Sequence, residues 1–235
     1  MPVQALNEDW GRAVAVVAHP DDLEYGAASA VARWTGQGKE VAYVLATRGE
    51  AGIAGMPPEQ CGARREEEQR RSAAVVGVSH VEFLGFADGE VEYGTRLRRA
   101  IAGAIRRLRP EVVIGMNFEL TWGDGRNVNH ADHRAVGLAT LDACRDAANE
   151  WVFRDVGERW GGVTVAYIGG ASSPTHYVDV RDSLGLGIAS LREHRAYIDG
   201  LGTDFDPEQF LTDMAGFAGM VAGCDRAVLF EAYEV

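Results

Sequence analysis

The chain has 235 residues, a length that suits one domain spanning 1–235 with a core that needs no disulfide bonds. Its 23 basic and 35 acidic residues give a net charge of −12, which argues against nucleic acid or an anionic membrane as the main partner. The three cysteines form no C-x-x-C pair, and free thiols fit a cytoplasmic protein. No signal peptide is evident, and no apolar run approaches the ~20 residues of a membrane helix.

Apolar runs alternate with helical patterns along the chain. The predicted strands are Ala13–Val17, Val41–Thr47, Val81–Gly85, Val112–Met116, Val163–Ile168, His176–Val180 and Ala227–Tyr233. The predicted helices are Leu23–Trp34, Gly62–Val76, Tyr93–Arg109, Ala131–Ala148 and Ser183–Ile198, with one more before the closing strand. This alternation predicts an α/β fold, a Rossmann-like and mostly parallel sheet flanked by helices, with antiparallel strands added in the C-terminal third.

A first polar cluster, His19, Asp21 and Asp22, lies where the first apolar strand gives way to a helix. Ligands of open α/β sheets bind just outside the carboxyl ends of strands. A helix N-cap would explain one Asp but neither the second Asp nor the His. We interpret the cluster as part of a metal site, which needs at least one more ligand.

A second cluster, His130, Asp132 and His133, occupies the equivalent position after the strand Val112–Met116. The two histidines are three residues apart and share a helical face, while Asp132 can orient an imidazole ring. A His-x-x-His pair alone is as typical of a core or surface as of a metal site. Because both clusters lie at carboxyl ends of strands in one predicted sheet, we expect them to form one site.

The two clusters offer more side chains than a metal needs. Catalytic zinc takes three protein ligands and keeps one position for water. The surplus predicts a carboxylate that takes a proton from the zinc-bound water and an imidazole at the oxyanion. Two histidines and one carboxylate are also the ligand set of non-haem iron enzymes, but those are usually β-rich, whereas this chain alternates strands and helices.

These motifs resemble the LmbE-like (PIG-L) family of zinc-dependent N-acetylglucosaminyl deacetylases. The Ala-His-Pro-Asp-Asp sequence at 18–22 is similar to the family's first strand end, and His-x-Asp-His at 130–133 to its downstream motif. The likeness continues through Thr47–Gly52, Val76–Val78 and Leu191–Arg195. Val128 stands where mycothiol-pathway relatives have a Tyr, which argues against a mycothiol substrate.

The resemblance implies a ligand set and a base. His19, Asp22 and His133 would hold Zn²⁺, with Fe²⁺ or another divalent ion as the alternative metal. Asp21 would be the general base on the metal-bound water. A non-catalytic sugar-binding protein with this fold would be expected to lose Asp21 or His130, and both are present.

The resemblance also implies roles around the substrate. His130 would stabilise the oxyanion or protonate the leaving amine, with Asp132 steadying its ring. Arg65 and Asp88 match positions that contact the sugar in relatives. The implied reaction is hydrolysis of an N-acetyl or longer N-acyl amide on a glucosamine-type sugar, a small-molecule substrate. Amide hydrolysis on a thiol or other small-molecule conjugate is the alternative within the family, and a homo-oligomer is compatible with the sequence.

Two long loops, Arg48–Cys61 and Asn117–Asn129, are expected to frame the site. Met56, Phe118 and Trp122 within them either line a pocket for apolar parts of a substrate or belong to ordinary surface loops. His194 lies beside Leu191 on the apolar face of a predicted helix, and we interpret it as a buried core histidine.

Overall fold

The computed structural model describes residues 2–123, 125–202 and 204–235 of the chain. Within these ranges the strands are β1 (Gln4–Ala5), β2 (Arg12–Val17), β3 (Glu40–Leu45), β4 (His80–Phe83), β5 (Val112–Met116), β6 (Val165–Gly169), β7 (His176–Asp179) and β8 (Ala227–Glu234). The helices are α1 (Asp22–Gly26), α2 (Ala28–Gly36), α3 (Pro58–Val75), α4 (Thr95–Leu108), α5 (Ala131–Ala148), α6 (Leu184–Leu191), α7 (Arg195–Gly200) and α8 (Pro207–Ala222).

These strands form one sheet in the order β1-β7-β8-β6-β5-β2-β3-β4. The central pairs from β4 to β6 are all parallel, and β1 is parallel to β7. Only β8 runs antiparallel to its neighbours β6 and β7 among the strands described. The predicted fold class, a mostly parallel α/β sheet with antiparallel strands in the C-terminal third, is therefore confirmed.

The order of the strands reverses between β2 and β5. From β2 the chain builds outward through β3 and β4, and it then returns to place β5 on the other side of β2. Open α/β sheets leave a crevice at such a switch point, outside the carboxyl ends of the two strands. The first polar cluster follows β2 and the second follows β5, so both clusters border this crevice.

Both faces of the sheet are buried, as a parallel sheet requires. Alternate residues of β2 face opposite sides: Ala13, Ala15 and Val17 pack in a layer with Trp34 and Phe230. The intervening residues of β2 face a second layer, in which α4 and α5 contribute the following residues: Leu97, Ile101, Ile105, Val136, Ala139 and Ala143. The carboxyl edge of β2 is thereby fixed between two cores.

Three predicted helices differ from the structure by an interruption or by more than two residues at one end, and the short strand β1 was not predicted. The helix predicted as Leu23–Trp34 is interrupted at Ala27, directly after Gly26, a residue with low helix propensity. The helix predicted as Ser183–Ile198 is interrupted after Leu191, where backbone hydrogen bonds tighten to an i→i−3 pattern that ends at His194. The helix predicted from Gly62 begins four residues earlier at Pro58, because proline suits the first helical turn.

A helix that crosses a bilayer needs about 20 mostly apolar residues, which sets a requirement for the helices of this chain. None of those within 2–123, 125–202 and 204–235 combines the length and the apolar composition that a membrane crossing requires.

Candidate active site and metal centre

A cavity of about 1060 Å³ opens at the switch point between β2 and β5. Its polar end is lined by side chains that follow β2, β3, β4 and β5 and by Arg65 from α3. These side chains include all but one of the predicted site residues: His19, Asp21, Asp22, Arg65, Asp88, His130 and His133. The structure thus brings together the two clusters that the sequence separates by more than a hundred residues.

The three side chains expected to bind metal converge on one point. The Nε2 atom of His133 lies 3.1 Å from Oδ1 of Asp22 and 3.1 Å from Nδ1 of His19. The Nδ1 atom of His19 lies 3.7 Å from the same Asp22 oxygen. Three ligands around one zinc ion at 2.0–2.1 Å with tetrahedral angles would lie about 3.3 Å apart, so these spacings fit a divalent cation.

Hydrogen bonds on the far side of His133 fix its tautomer. Its Nδ1 lies 3.0 Å from Oδ1 of Asn129, while the Asn129 amide nitrogen donates to the carbonyls of Asn117 and Glu119. These two bonds orient the amide so that Oδ1 accepts the proton of Nδ1. The Nε2 atom of His133 therefore presents an electron pair to Asp22 and His19.

His19 is oriented in the same way by two carboxylates. Its Nε2 lies 3.0 Å from Oδ1 of Asp88 and 3.2 Å from Oδ2 of Asp132. Since ionised carboxylates only accept hydrogen bonds, Nε2 of His19 carries a proton, and Nδ1 is the nitrogen that faces Asp22 and His133. The Nδ1 atom of His19, Oδ1 of Asp22 and Nε2 of His133 thus face one space, where their electron pairs can bind a cation once His19 gives up its second proton.

The electrostatics of the site favour such a cation. Burial lowers the pKa of His19, but the carboxylates of Asp22, Asp132 and Asp88 outweigh burial and raise this pKa to about 12. Burial raises the pKa of Asp22, but His133 and His19 outweigh it and bring the pKa below its usual range. The second oxygen of Asp22 accepts the backbone N–H groups of Ala18 and His19, which fixes the carboxylate at the end of β2.

Asp21 has a strained backbone and a perturbed carboxyl group. Its φ is +90°, a conformation that costs free energy for any residue except glycine, and its N–H donates to Oε1 of Gln69. Its Oδ2 lies 3.2 Å from Nη2 of Arg65. Burial raises the pKa of Asp21 to about 6, although Arg65 opposes the increase.

His130 borders the cavity and is bonded to the backbone of α5. Its Nδ1 accepts the N–H of Asp132 at 3.3 Å, so a neutral His130 carries its proton on Nε2. Burial, followed by the charges of His19 and His133, lowers the pKa of His130 and keeps the ring neutral. His130 also offers a nitrogen within 4.8 Å of ligand atoms of His19 and His133.

The expected contact between the Asp132 carboxylate and the His130 ring is replaced by another. The Asp132 carboxylate accepts hydrogen bonds from Nε2 of His19 and from the backbone N–H groups of Gly89 and Val91. The reason is geometric, because Asp132 lies two residues after His130, and side chains two residues apart do not face each other on a helix. Asp132 therefore orients a predicted metal ligand instead of His130.

The residues expected to contact the sugar both line the cavity. Arg65 is buried, with its Nη atoms donating to the carbonyls of Pro20 and Gly49, and its guanidinium stacks 4.5 Å from the ring of Tyr197. Asp88 lies against His19 and accepts the N–H of Ala51. Both side chains thus border the polar end of the cavity while also supporting Asp21 and His19.

The long loops contribute unequally to the cavity. Ala51, Gly52, Trp122 and Gly123 line it, and the ring of Trp122 lies 5.5 Å from that of His133. Met56 and Phe118 are not among the described lining residues. Sequence reasoning missed Asn129 and Gln69, whose amide groups support His133 and Asp21. The proximity of Asn129 to His130 in sequence was the available signal, while nothing local marks Gln69.

Comparison of the sequence with known protein families identifies one match. Residues 14–144, more than half of the chain, match the PIG-L family, described as GlcNAc-PI de-N-acetylase. The chain belongs to this family of LmbE-like deacetylases.

Individual relatives are deacetylases as well. Diacetylchitobiose deacetylase of Thermococcus kodakarensis is 27% identical over 193 residues, which cover 80% of this chain and 70% of that protein. A probable N-acetyl-alpha-D-glucosaminyl L-malate deacetylase of Bacillus anthracis is 34% identical over 135 residues, covering 54% of this chain and 57% of that protein. The structure of N,N'-diacetylchitobiose deacetylase from Pyrococcus horikoshii has the same fold, with a TM-score of 0.86, 23% identity and coverage of 96% of this chain and 85% of that chain.

Proposed function

We propose that this chain is a zinc-dependent hydrolase that removes an N-acetyl or longer N-acyl group from a glucosamine-type sugar or sugar conjugate. The products are a carboxylate and a free amine. The observation that supports this most strongly is the convergence of His19 Nδ1, Asp22 Oδ1 and His133 Nε2 within 3.1–3.7 Å of one another. The deacetylases among the relatives supply the reaction class.

His19, Asp22 and His133 would hold the metal. Two imidazole nitrogens and one carboxylate oxygen are a set that zinc accepts in catalytic sites. When bound, the ion supplies a Lewis acid that acidifies a water molecule and polarises the amide carbonyl. Asp132 and Asp88 hold the ring of His19, and Asn129 holds that of His133, so that the ligands do not need to reorganise.

Asp21 acts as the general base in this proposal. A base works best when its pKa is near the working pH, and burial raises the pKa of Asp21 to about 6. Arg65 holds the carboxylate from one side, and Gln69 holds the backbone in its strained conformation. Asp21 is therefore positioned to take the proton of the attacking water.

His130 stabilises the negative charge that develops on the amide oxygen. Because its Nδ1 accepts the N–H of Asp132, the Nε2–H is free to donate toward the cavity. A fixed donor of this kind contributes most where charge develops in the transition state. The proton that the leaving amine needs when the carbon–nitrogen bond breaks comes from Asp21, which has taken it from the attacking water.

Arg65 and Asp88 border the space next to the ligands, where the sugar ring would lie. The substrate is a small molecule, as in the relatives that act on diacetylchitobiose or N-acetylglucosaminyl malate by name. We place the protein in the cytoplasm, because its three cysteines are unpaired.

Acetate release tests this function. The purified chain is incubated with N-acetylglucosamine, its methyl glycoside and N,N'-diacetylchitobiose, and acetate and primary amine are measured along with metal content. We expect acetate and primary amine to be released in equal amounts. A chelator should abolish this release, and added Zn²⁺ should restore it. Metal-loaded protein that releases no acetate from any of these sugars, or that consumes oxygen instead, would contradict the proposal. Asp21→Asn serves as the control for contaminating deacetylases.

A further inference from the structure

The cavity does not end at the polar site. It continues between α1, α8 and β8 as a second region, which we call the apolar arm. The apolar arm is lined by Tyr25, Gly26, Ala27, Gly170, Ala171, Leu184, Phe210, Leu211, Met214, Ala215, Phe217, Ala218, Val221, Ala227, Val228 and Leu229. None of these described lining residues carries a charge, in contrast to the polar end.

One face of α8 forms the outer wall of the apolar arm. Phe210, Met214, Phe217 and Val221 recur at spacings of three and four residues, so they share one side of the helix. Met214 is 52% exposed, Phe217 60% and Val221 45%. A contiguous exposed apolar face of this kind marks a binding groove.

Aromatic rings connect the apolar arm with the catalytic end. The guanidinium of Arg65, which holds Asp21, stacks on Tyr197, and the ring of Tyr197 lies 6.5 Å from that of Tyr25. Tyr25 in turn lies 5.5 Å from Phe210, the first residue of the α8 face. Because the polar site and the apolar arm belong to one cavity, a molecule bound at the polar end can extend into the arm.

The size of the cavity exceeds what one amino sugar requires. Pockets for drug-sized ligands measure roughly 300–1,000 Å³, and this cavity measures about 1060 Å³. Small residues on the wall opposite α8, such as Gly26, Ala27 and Ala171, keep the apolar arm open. Flexible Met214 at the outer wall can adapt to chains of different shape.

We propose that the apolar arm binds the hydrocarbon part of an amphipathic substrate, an amino sugar that carries an aliphatic or aromatic chain. This inference rests on the proposed N-deacylation and assigns its substrate class. The hydrocarbon is attached to the sugar either as the N-acyl group or through the glycosidic oxygen. Both attachments present the same hydrocarbon to Phe210, Met214 and Phe217, and two substrate series distinguish them.

The experiment measures kcat/KM of the metal-loaded protein for the methyl, butyl, hexyl and octyl glycosides of N-acetylglucosamine, and for N-acetyl, N-butanoyl, N-hexanoyl and N-octanoyl glucosamine. All concentrations stay below the critical micelle concentration. We expect kcat/KM to rise about fourfold per methylene along one series until the arm is filled. The rise should come from a lower KM. A triethylene glycol glycoside of similar length should show no such gain.

Substitutions on α8 test where the chain binds. Phe217→Ser should lower the octyl-to-methyl ratio of kcat/KM, or the corresponding acyl ratio, about tenfold. Met220→Ser is the matched control, because Met220 is 76% exposed on the same helix but is not among the described lining residues. It should leave that ratio unchanged.

The outcomes separate this inference from the proposed function. Absence of primary-amine release from the methyl glycoside and from every other sugar in both series refutes the N-deacylase itself. Release of the primary amine with a kcat/KM that is independent of hydrocarbon length in both series overturns the apolar arm alone. Light scattering gives a third outcome. If Phe217→Ser lowers the molar mass and kcat/KM does not depend on hydrocarbon length, the α8 face binds a second copy of the protein, and the inference is overturned.

Discussion

The Nε2 atom of His133 lies 3.1 Å from Oδ1 of Asp22, across the crevice between the ends of β2 and β5. With the proton of His133 held on Nδ1 by Asn129, both of these atoms present electron pairs to one another. Two such atoms repel unless a cation lies between them. A metal ion, or a second proton on His133, would remove this repulsion at the edge of the sheet.

Metal binding should stabilise the folded chain. The ligands assemble only in the native state, so Zn²⁺ at 100 times its Kd should add about 2.7 kcal/mol to the free energy of unfolding. For a chain of this size that corresponds to a rise in Tm of roughly 5–10 °C, measured by calorimetry before and after chelation. An unchanged Tm in wild type would contradict the site, and Asp22→Asn should abolish the shift.

Asp22→Ala should remove the metal. The substitution deletes one of three ligand oxygens or nitrogens, and we expect metal affinity to fall by more than about 100-fold, since loss of an outer-shell partner alone costs about 10–100-fold. Elemental analysis and competition with a chromogenic chelator measure this. Retention of stoichiometric metal by Asp22→Ala would show that another residue completes the ligand set.

Asp21→Ala should keep the metal and lose turnover. Its carboxylate is bonded to Arg65 and lies outside the convergent ligand atoms, so metal content should match wild type. Loss of a general base lowers kcat about 10²–10⁴-fold. Initial rates of acetate release at saturating substrate provide the test, and normal turnover by Asp21→Ala would exclude the assigned role.

Asp132→Asn should weaken metal binding through His19. The Asp132 carboxylate accepts hydrogen bonds from Nε2 of His19 and from two backbone N–H groups. The side-chain amide of asparagine would place an NH₂ group against one of these donors, so that one hydrogen bond would be lost. We expect metal affinity to fall about 10–100-fold, as measured by chelator competition. Asp142→Asn on the same helix, where the side chain accepts from Tyr93, is the matched control and should bind metal like wild type.

His194→Phe should destabilise the fold. His194 is fully buried, and its Nε2 lies 3.6 Å from Oε2 of the equally buried Glu24. Burial lowers the pKa of His194, but Glu24 outweighs it and raises this pKa, so the two side chains form an ion pair. Removal of one partner of such a pair costs about 3–5 kcal/mol, measured by urea denaturation.

Arg192→Ala provides the contrast for His194→Phe. Arg192 pairs with Glu208 at the surface, and both side chains are more than half exposed. Loss of such a pair costs less than about 1 kcal/mol. Equal destabilisation by the two substitutions would show that the buried pair contributes no more than the surface pair.

The regular elements were predictable where local patterns and packing agree. The strand Val112–Met116 and the helix Ala131–Ala148 have the predicted bounds, because a strand buried on both faces is a continuous apolar run. The two interrupted helices were not predictable from periodicity. The break at Ala27 directly follows Gly26, and the break after Leu191 lies next to His194, whose side chain pairs with the buried Glu24.

The site was predictable to a similar degree. Two local clusters and their places after strands indicated where His19, Asp22 and His133 would meet, and the structure places them together. Contacts that depend on loops were not predictable: Asp132 holds His19 and not His130, and Gln69 supports Asp21 from a different helix. The apolar arm was also beyond reach, because α8 reads as an ordinary helix in sequence.

The sequence by itself determined the donor atoms of this protein and the ends of the strands that carry them, because short motifs and buried apolar runs are local properties. Only the tertiary structure decided which donor faces which, which oxygen of Asp22 meets His133, and where α8 leaves an apolar wall. Those choices depend on strand order, on loop conformation and on packing between distant helices. Such interactions join residues far apart in the chain, and no local pattern records them.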